Sequence, residues 1–273
     1  MISSPDVFNM SHVARFVRRT NADFLSYDFL YQKVVQDIRD RLDDITRKFN
    51  SVLLCGEHTG QYFLDVFPDA VVMDIVLPEK FSSYIGQFDL IISLGHLHRA
   101  NDFPGVLIQM RRALKSDGVL MAAFAGGETL HQLRASLMQA EIEVLGGASP
   151  RVFPFVDTQH MAGLMQRAGF ALPVVDSEIF SVSYRDMFHL MEDVRGMGES
   201  NSLMAKYRAF TPSRVFAHAA EFYKKNYGEG DAQDNQRVMA NFEIIHAIGW
   251  APHESQQKPA KRGSGQVSLT EIL

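Results

Sequence analysis

The stretch VLLCGEHTG, Val52 to Gly60, decides the fold. An apolar run runs straight into a glycine, and the residues after it turn helical. A strand, a glycine turn and a helix in that order are how an open sheet presents its backbone at the carboxyl ends of its strands. Glycine is needed there because a Cβ blocks close approach of the backbone to a bound group.

Three further bursts resemble SVLLC in length and character: AVVMDIV (Ala70 to Val76), FDLIISL (Phe88 to Leu94) and GVLMAAFA (Gly118 to Ala125). Near-continuous apolar strands of this length suit a parallel sheet buried on both faces. Helices are expected between them. Pro104 to Lys115 carries Leu107, Met110 and Leu114 on one face and stops at Ser116-Asp117-Gly118. Leu130, Leu133, Leu137, Ala140 and Val144 mark another helix, ended by Gly146-Gly147, and Thr158 to Ala168 a third, ended by Gly169. Upstream, Tyr31, Val34, Ile38, Leu42 and Ile45 recur at helical spacing between Tyr27 and Asp44. This alternation predicts an α/β doubly wound sheet. Leu172 to Tyr184 reads as a strand pausing at Asp176-Ser177. Helices follow over Asp186 to Val194 and Pro212 to Asn226, then a polar loop from Gly228 to Asn235 and a last strand from Val238 to Trp250. The expected organisation is an N-terminal helical segment (1–48), a core (49–184), a helical cap (185–236), a final core strand (237–252) and an extended tail (253–273).

The 273 residues include 46% apolar and 22% charged, which is ordinary globular composition. With 27 basic and 32 acidic side chains the net charge is −5, and no long Lys/Arg run gives a reason to expect nucleic acid. A single cysteine, Cys55, rules out an intrachain disulfide and a cysteine-built zinc site. No stretch reaches the run of about 18 apolar residues that a transmembrane helix needs. Asp6 lies among the early arginines Arg15, Arg18 and Arg19, and no apolar segment follows them, so a cytosolic location without a leader is expected.

Asp74 lies eighteen residues beyond Gly56, at the end of the second burst, where a carboxylate can accept hydrogen bonds from both ribose hydroxyls. With Gly56, Gly60 and this acid in place, the chain resembles a class I S-adenosylmethionine-dependent methyltransferase. Within that superfamily it is similar to bacterial relatives of a mitochondrial complex I assembly factor of arginine-hydroxylase type. The resemblance runs over DFLYQKVVQDIRDRLDDITRKF, the block from Phe88 to Arg134, SPRVFPFVD, VRGMGESN and FEIIHAIGWAPHESQQKP. It implies S-adenosylmethionine contacts at Gly56, Glu57, Gly60, Asp74 and Leu94. It also implies a protein substrate or respiratory-complex subunit as partner.

Two departures bear on that cofactor. The family's first motif resembles D-L-G-x-G/R-x-G, but here Leu54 stands for its acid and His58 for its middle glycine. An imidazole at 58 intrudes on the methionine end of the cofactor unless the loop swings away. Only fourteen residues separate Asp74 from Asp89, whereas a βαβ unit needs about 30. One edge strand and its helix are therefore expected to be missing, and with them much of the adenine pocket. A stretch of that length spans up to roughly 46 Å at about 3.3 Å per residue, enough to cross to the next strand. Weak or absent cofactor binding follows, and with it a binding or assembly role. Active methyl transfer and arginine hydroxylation are the alternatives.

His96, His98 and Asp102 have the residue types of an iron site, but an isolated H-x-H is weak evidence, and no metal is expected. Cys55, His246 and the Phe153–Phe155 pair read as core. No nucleophile–base pair is visible, and catalytic residues are left unassigned.

Overall fold

The computed structural model describes residues 6–20, 22–73, 78–230 and 237–257. Two helices lead, α1 (Met10–Thr20) and α2 (Phe29–Asp43), with a 3-10 turn at Phe24–Ser26 between them. Then come β1 (Val52–Cys55), the short α3 (Thr59–Phe63), β2 (Val71–Met73) and β3 (Phe88–Leu94). The centre is completed by α4 (Phe103–Ala113), β4 (Leu114–Ala125), α5 (His131–Leu145), α6 (Thr158–Arg167) and β5 (Ala171–Tyr184). The last described elements are α7 (Met187–Gly196), α8 (Ser213–Tyr227), the two-residue β6 (Gly228–Glu229) and β7 (Arg237–Trp250).

The strands form one sheet in the order β2-β1-β3-β4-β7-β5, with β6 pairing the start of β7. β1 pairs in parallel with β2 and β3, and β3 with β4. β7 runs antiparallel between β4 and β5. The α/β Rossmann-like reading holds, and so does the shortened edge. Among the described residues β2 pairs only with β1, and between Met73 and Phe88 the only regular element is a 3-10 turn at Pro78–Phe81. The second burst beyond Met73, including Asp74, lies outside the described residues.

Every residue of β1 and β3 is buried, which is why both read as unbroken apolar runs. One core layer, with Leu53, Ile91, Leu107 and Met110, lies under α4 and α6. On the other face Val34 and Ile38 of α2 pack with Leu54, Leu90 and Ile92.

Three local expectations need correction. α4 ends at Ala113, and Leu114 already belongs to β4, where it faces Phe88 across a register shift. The pause expected at Asp176-Ser177 is absent: both residues pair with β7, opposite His246 and Ile245. The acid is tolerated there because Arg41 of α2 donates to both its oxygens at 2.8 and 2.9 Å. The irregularity lies earlier in the strand, between Ala171 and Val174, where Leu172 has a φ of 48°. Finally, the polar loop after α8 begins with a short strand, Gly228 and Glu229 opposite Val238 and Arg237.

Candidate functional site

The carboxyl edge of the sheet divides at Leu94. On one side, Gly56 leaves β1 with a φ of 119° and donates its N–H to the Met73 carbonyl at 3.0 Å. A Cβ there would lie 2.4 Å from the Leu94 carbonyl oxygen, 2.7 Å from the Thr59 hydroxyl and 2.8 Å from the His96 ring. The glycine is required because the protein's own atoms press against it. The next residues are equally occupied. His58 turns inward and stacks flat on Phe24, ring centroids 3.5 Å apart at 9°. Tyr31 stands edge-on to both rings. Tyr31 in turn reaches Gly95, whose φ of 72° and missing side chain make room for its hydroxyl. Phe24 and Tyr31 come from the leading segment, so the N-terminus fills this side of the edge.

Glu57 bonds to the buried Arg99 at 3.3 Å, and Arg99 lies 3.8 Å from Glu199 on its other side. Two carboxylates flanking one guanidinium is how a buried cation is kept charged. Burial pushes the His96 imidazole down to about 4, so it is neutral near pH 7, and it faces the Leu94 carbonyl at 3.4 Å. Gly60 sits in α3, and a Cβ there would meet Leu64 and Val72 at an ordinary 3.5 Å. The direction a Gly56 side chain would take is filled by Leu94, Thr59 and His96, and His58 is held in the Phe24 stack beside it. Of the positions implied by resemblance, Gly56, Glu57 and Gly60 lie on this filled side, Leu94 lies at the boundary, and Asp74 lies outside the described residues.

Beyond Leu94 the edge opens. A cavity of about 300 Å³ stands over the ends of β3 and β4, floored by Leu94, Gly95 and Ala123. Leu130, Leu133 and Leu137 of the β4–α5 connection and α5 form one wall, and Met191, Val194 and Met197 form the roof. The roof belongs to α7 and its C-cap Met197; the helix is capped at its start by Asp186, whose carboxylate accepts from the Phe188 and His189 N–H groups. Burial raises the Asp186 carboxyl, but the His189 side chain and those N–H groups outweigh it and hold it at about 2. Phe153 and Phe155 close a third side. Their segment is fixed to α5 by the buried Glu141, which accepts from the Ser149 N–H at 2.7 Å and the Arg151 Nε at 2.7 Å.

Sequence reasoning missed the residue that gives this cavity its polar point. His98 Nε2 lies 3.1 Å from Glu199 Oε2, across a sequence separation of 101 residues. Glu199 sits in VRGMGESN, one of the strings that carried the family resemblance, and that string was the available signal. Asp102, grouped with the histidines as an iron-type set, instead caps α4 by accepting from the Gly105 N–H. Among the described residues no three His, Cys, Asp or Glu side chains gather as a metal set. Cys55 is buried, and burial pushes its thiol up. His246 is buried in β7, 3.7 Å from Asp37. No described helix is long and apolar enough to cross a membrane.

No protein-family model matches the chain. Known proteins are more informative. The arginine-hydroxylase NDUFAF5, mitochondrial, of Danio rerio is 35% identical over 273 residues, 92% of this chain and 84% of that protein. A malonyl-[acyl-carrier protein] O-methyltransferase of Halorhodospira halophila is 30% identical over 183 residues, 67% of this chain and 59% of that protein. Among solved structures, a Haemonchus contortus phosphoethanolamine N-methyltransferase 2 in complex with S-adenosyl-L-methionine superposes with a TM-score of 0.46 at 12% identity, covering 85% of this chain and 57% of that one. The likeness to the Danio rerio protein covers nearly the whole of both chains, and on that ground the chain belongs to the family of the arginine-hydroxylase NDUFAF5 proteins.

Proposed function

We propose that this chain is a methyltransferase-like binding protein that has lost ordinary use of S-adenosylmethionine and serves in assembly of a respiratory complex by holding a protein partner. The observation that supports this reading is the packing of Leu94, Thr59 and His96 where a Gly56 side chain would stand, with His58 stacked on Phe24 beside it. The open cavity on the other side of Leu94, roofed by α7, is the working site in this reading. Weak binding is the expected consequence. Losing the cradle and the adenine edge forfeits several kcal/mol, and each 1.4 kcal/mol is about tenfold in Kd.

Titration calorimetry of the full chain with S-adenosylmethionine and S-adenosylhomocysteine tests this. No saturation below about millimolar concentration is expected. Saturation in the low micromolar range overturns the reading and restores methyl transfer.

A second reading is hydroxylation of an arginine on the partner. It draws on the name of the Danio rerio relative and on Glu199, a carboxylate in the cavity wall of the kind a guanidinium pairs with. Mass spectrometry of a captured partner separates it from simple binding, because hydroxylation adds one oxygen atom to an arginine.

A further inference from the structure

We propose that the cavity over β3 and β4 binds a phenolic group, with His98 as the acceptor of its hydroxyl proton. The proposal rests on the reading that this cavity, not the glycine loop, is the working site.

The argument begins with the tautomer. An ionised carboxylate only accepts, so Glu199 at 3.1 Å requires a proton on Nε2; in the neutral ring that is the only proton, and Nδ1 is then an acceptor. Glu199 is held in that state. Burial raises its carboxyl, but Arg99, and then His98 itself, outweigh burial and leave it below the ordinary range. Arg99 is pinned from its far side by Glu57. The His98 side chain is only 3% exposed, and its Nδ1 is buried with no hydrogen-bond partner. A buried acceptor without a partner is costly, and the cavity that His98 lines is the place from which one can come.

Apart from the exposed Arg195 and the half-buried Ser200, the other polar side chains around the cavity are committed elsewhere. The Arg151 guanidinium binds Glu141 and the Thr211 hydroxyl, and the Thr129 hydroxyl donates to the Glu243 carbonyl. The Asn201 side chain donates to the Pro150 carbonyl and accepts from the Leu203 N–H. The Tyr31 hydroxyl faces the Gly95 carbonyl. A ligand that offers one donor to Nδ1 and an apolar body, with any second polar group turned toward Arg195 and Ser200, therefore matches the lining.

The aromatic character follows from the neighbours. Phe155 and Phe153 lie 5.6 and 6.1 Å from the His98 ring, tilted at 52° and 32°, and a flat ring beside them gains edge and face contacts. About 300 Å³ is the low end of ligand cavities, suited to one ring with a short substituent. The same chemistry is carried by a free alkylphenol and by a tyrosine side chain of a protein partner.

Two matched pairs separate these sources: 4-ethylphenol against ethylbenzene, and N-acetyl-tyrosinamide against N-acetyl-phenylalaninamide, each titrated into the full chain by calorimetry. In at least one pair the hydroxyl compound is expected to bind about tenfold more tightly, as one well-made hydrogen bond gives. The pair that shows the preference identifies the source. His98→Phe is expected to abolish the preference while the apolar member still binds. If that variant does not fold, Glu199→Gln, which frees the tautomer, is expected to reduce the preference instead. Equal affinity within both pairs, no binding of any of the four, or a preference that survives these substitutions overturns the proposal. Its failure is distinct from failure of the functional reading, which falls only if S-adenosylmethionine itself binds tightly.

Discussion

Two neighbouring regions of one sheet edge are built on opposite plans. Over β1 the Gly56 loop is packed from above by Leu94 and His96, with Phe24, His58 and Tyr31 stacked beside it. Over β3 and β4 the backbone ends beneath open space, walled by leucines and roofed by α7. In an open α/β sheet the ligand is expected at the carboxyl ends of the strands, near the first glycine turn. Here the glycine turn is kept, and a cavity stands beside it over the next two strands. A glycine-rich turn after a strand is evidence of close packing, and what packs there has to be read separately; the same fold carries different sites.

The largest effect that sharpens this contrast is expected at Gly56. Gly56→Ala puts a Cβ 2.4 Å from a backbone oxygen in a conformation with φ of 119°. Backbone strain of about 1–3 kcal/mol adds to overpacking of about 1–3 kcal/mol. Denaturant unfolding is expected to show a loss of about 2–6 kcal/mol. A neutral result would mean that the loop is free to swing away from β3, and the filled side would not be filled.

The next effect depends on pH. His96 is buried beside Arg99, Glu57 and His98, and burial holds its imidazole at about 4 against an ordinary 6.5. Between those values the unfolded chain binds a proton that the folded chain does not. This contribution to stability is therefore present above pH 6.5 and is lost as pH falls toward 4. Melting curves between pH 7 and about 4 are expected to fall less steeply for His96→Asn than for the unaltered chain. Identical slopes would place His96 in solvent and reopen the space above Gly56.

Gly60 should give the smallest change, and of the opposite sign. It is helical, with ordinary 3.5 Å clearance for a Cβ, so Gly60→Ala is expected to stabilise by about 0.4–1 kcal/mol. A large loss would show that Gly60, like Gly56, is under a close approach.

Much of the fold was legible because apolar runs such as FDLIISL can be buried on both faces only in the middle of a sheet, and fourteen residues after Asp74 cannot hold a strand and a helix. The last strand, expected over Val238 to Trp250, is β7. The site was less legible. His58 was seen as an obstruction at its own position, but its stacking partner Phe24 is separated from it in the chain, and ring stacking leaves no local pattern. The His98–Glu199 pair joins the end of β3 to the segment after α7, and only the folded chain brings them together. Asp176 misled for a related reason: an acid inside a strand looks like a break until Arg41, 135 residues away, is seen to hold it.

A crystal structure of the full chain grown with millimolar S-adenosylmethionine tests the central claim most directly. The account predicts no nucleoside density between Gly56 and Leu94, with His58 still stacked on Phe24 and His96 against the Gly56 loop. Ordered cofactor in that space, with His96 displaced, would contradict it.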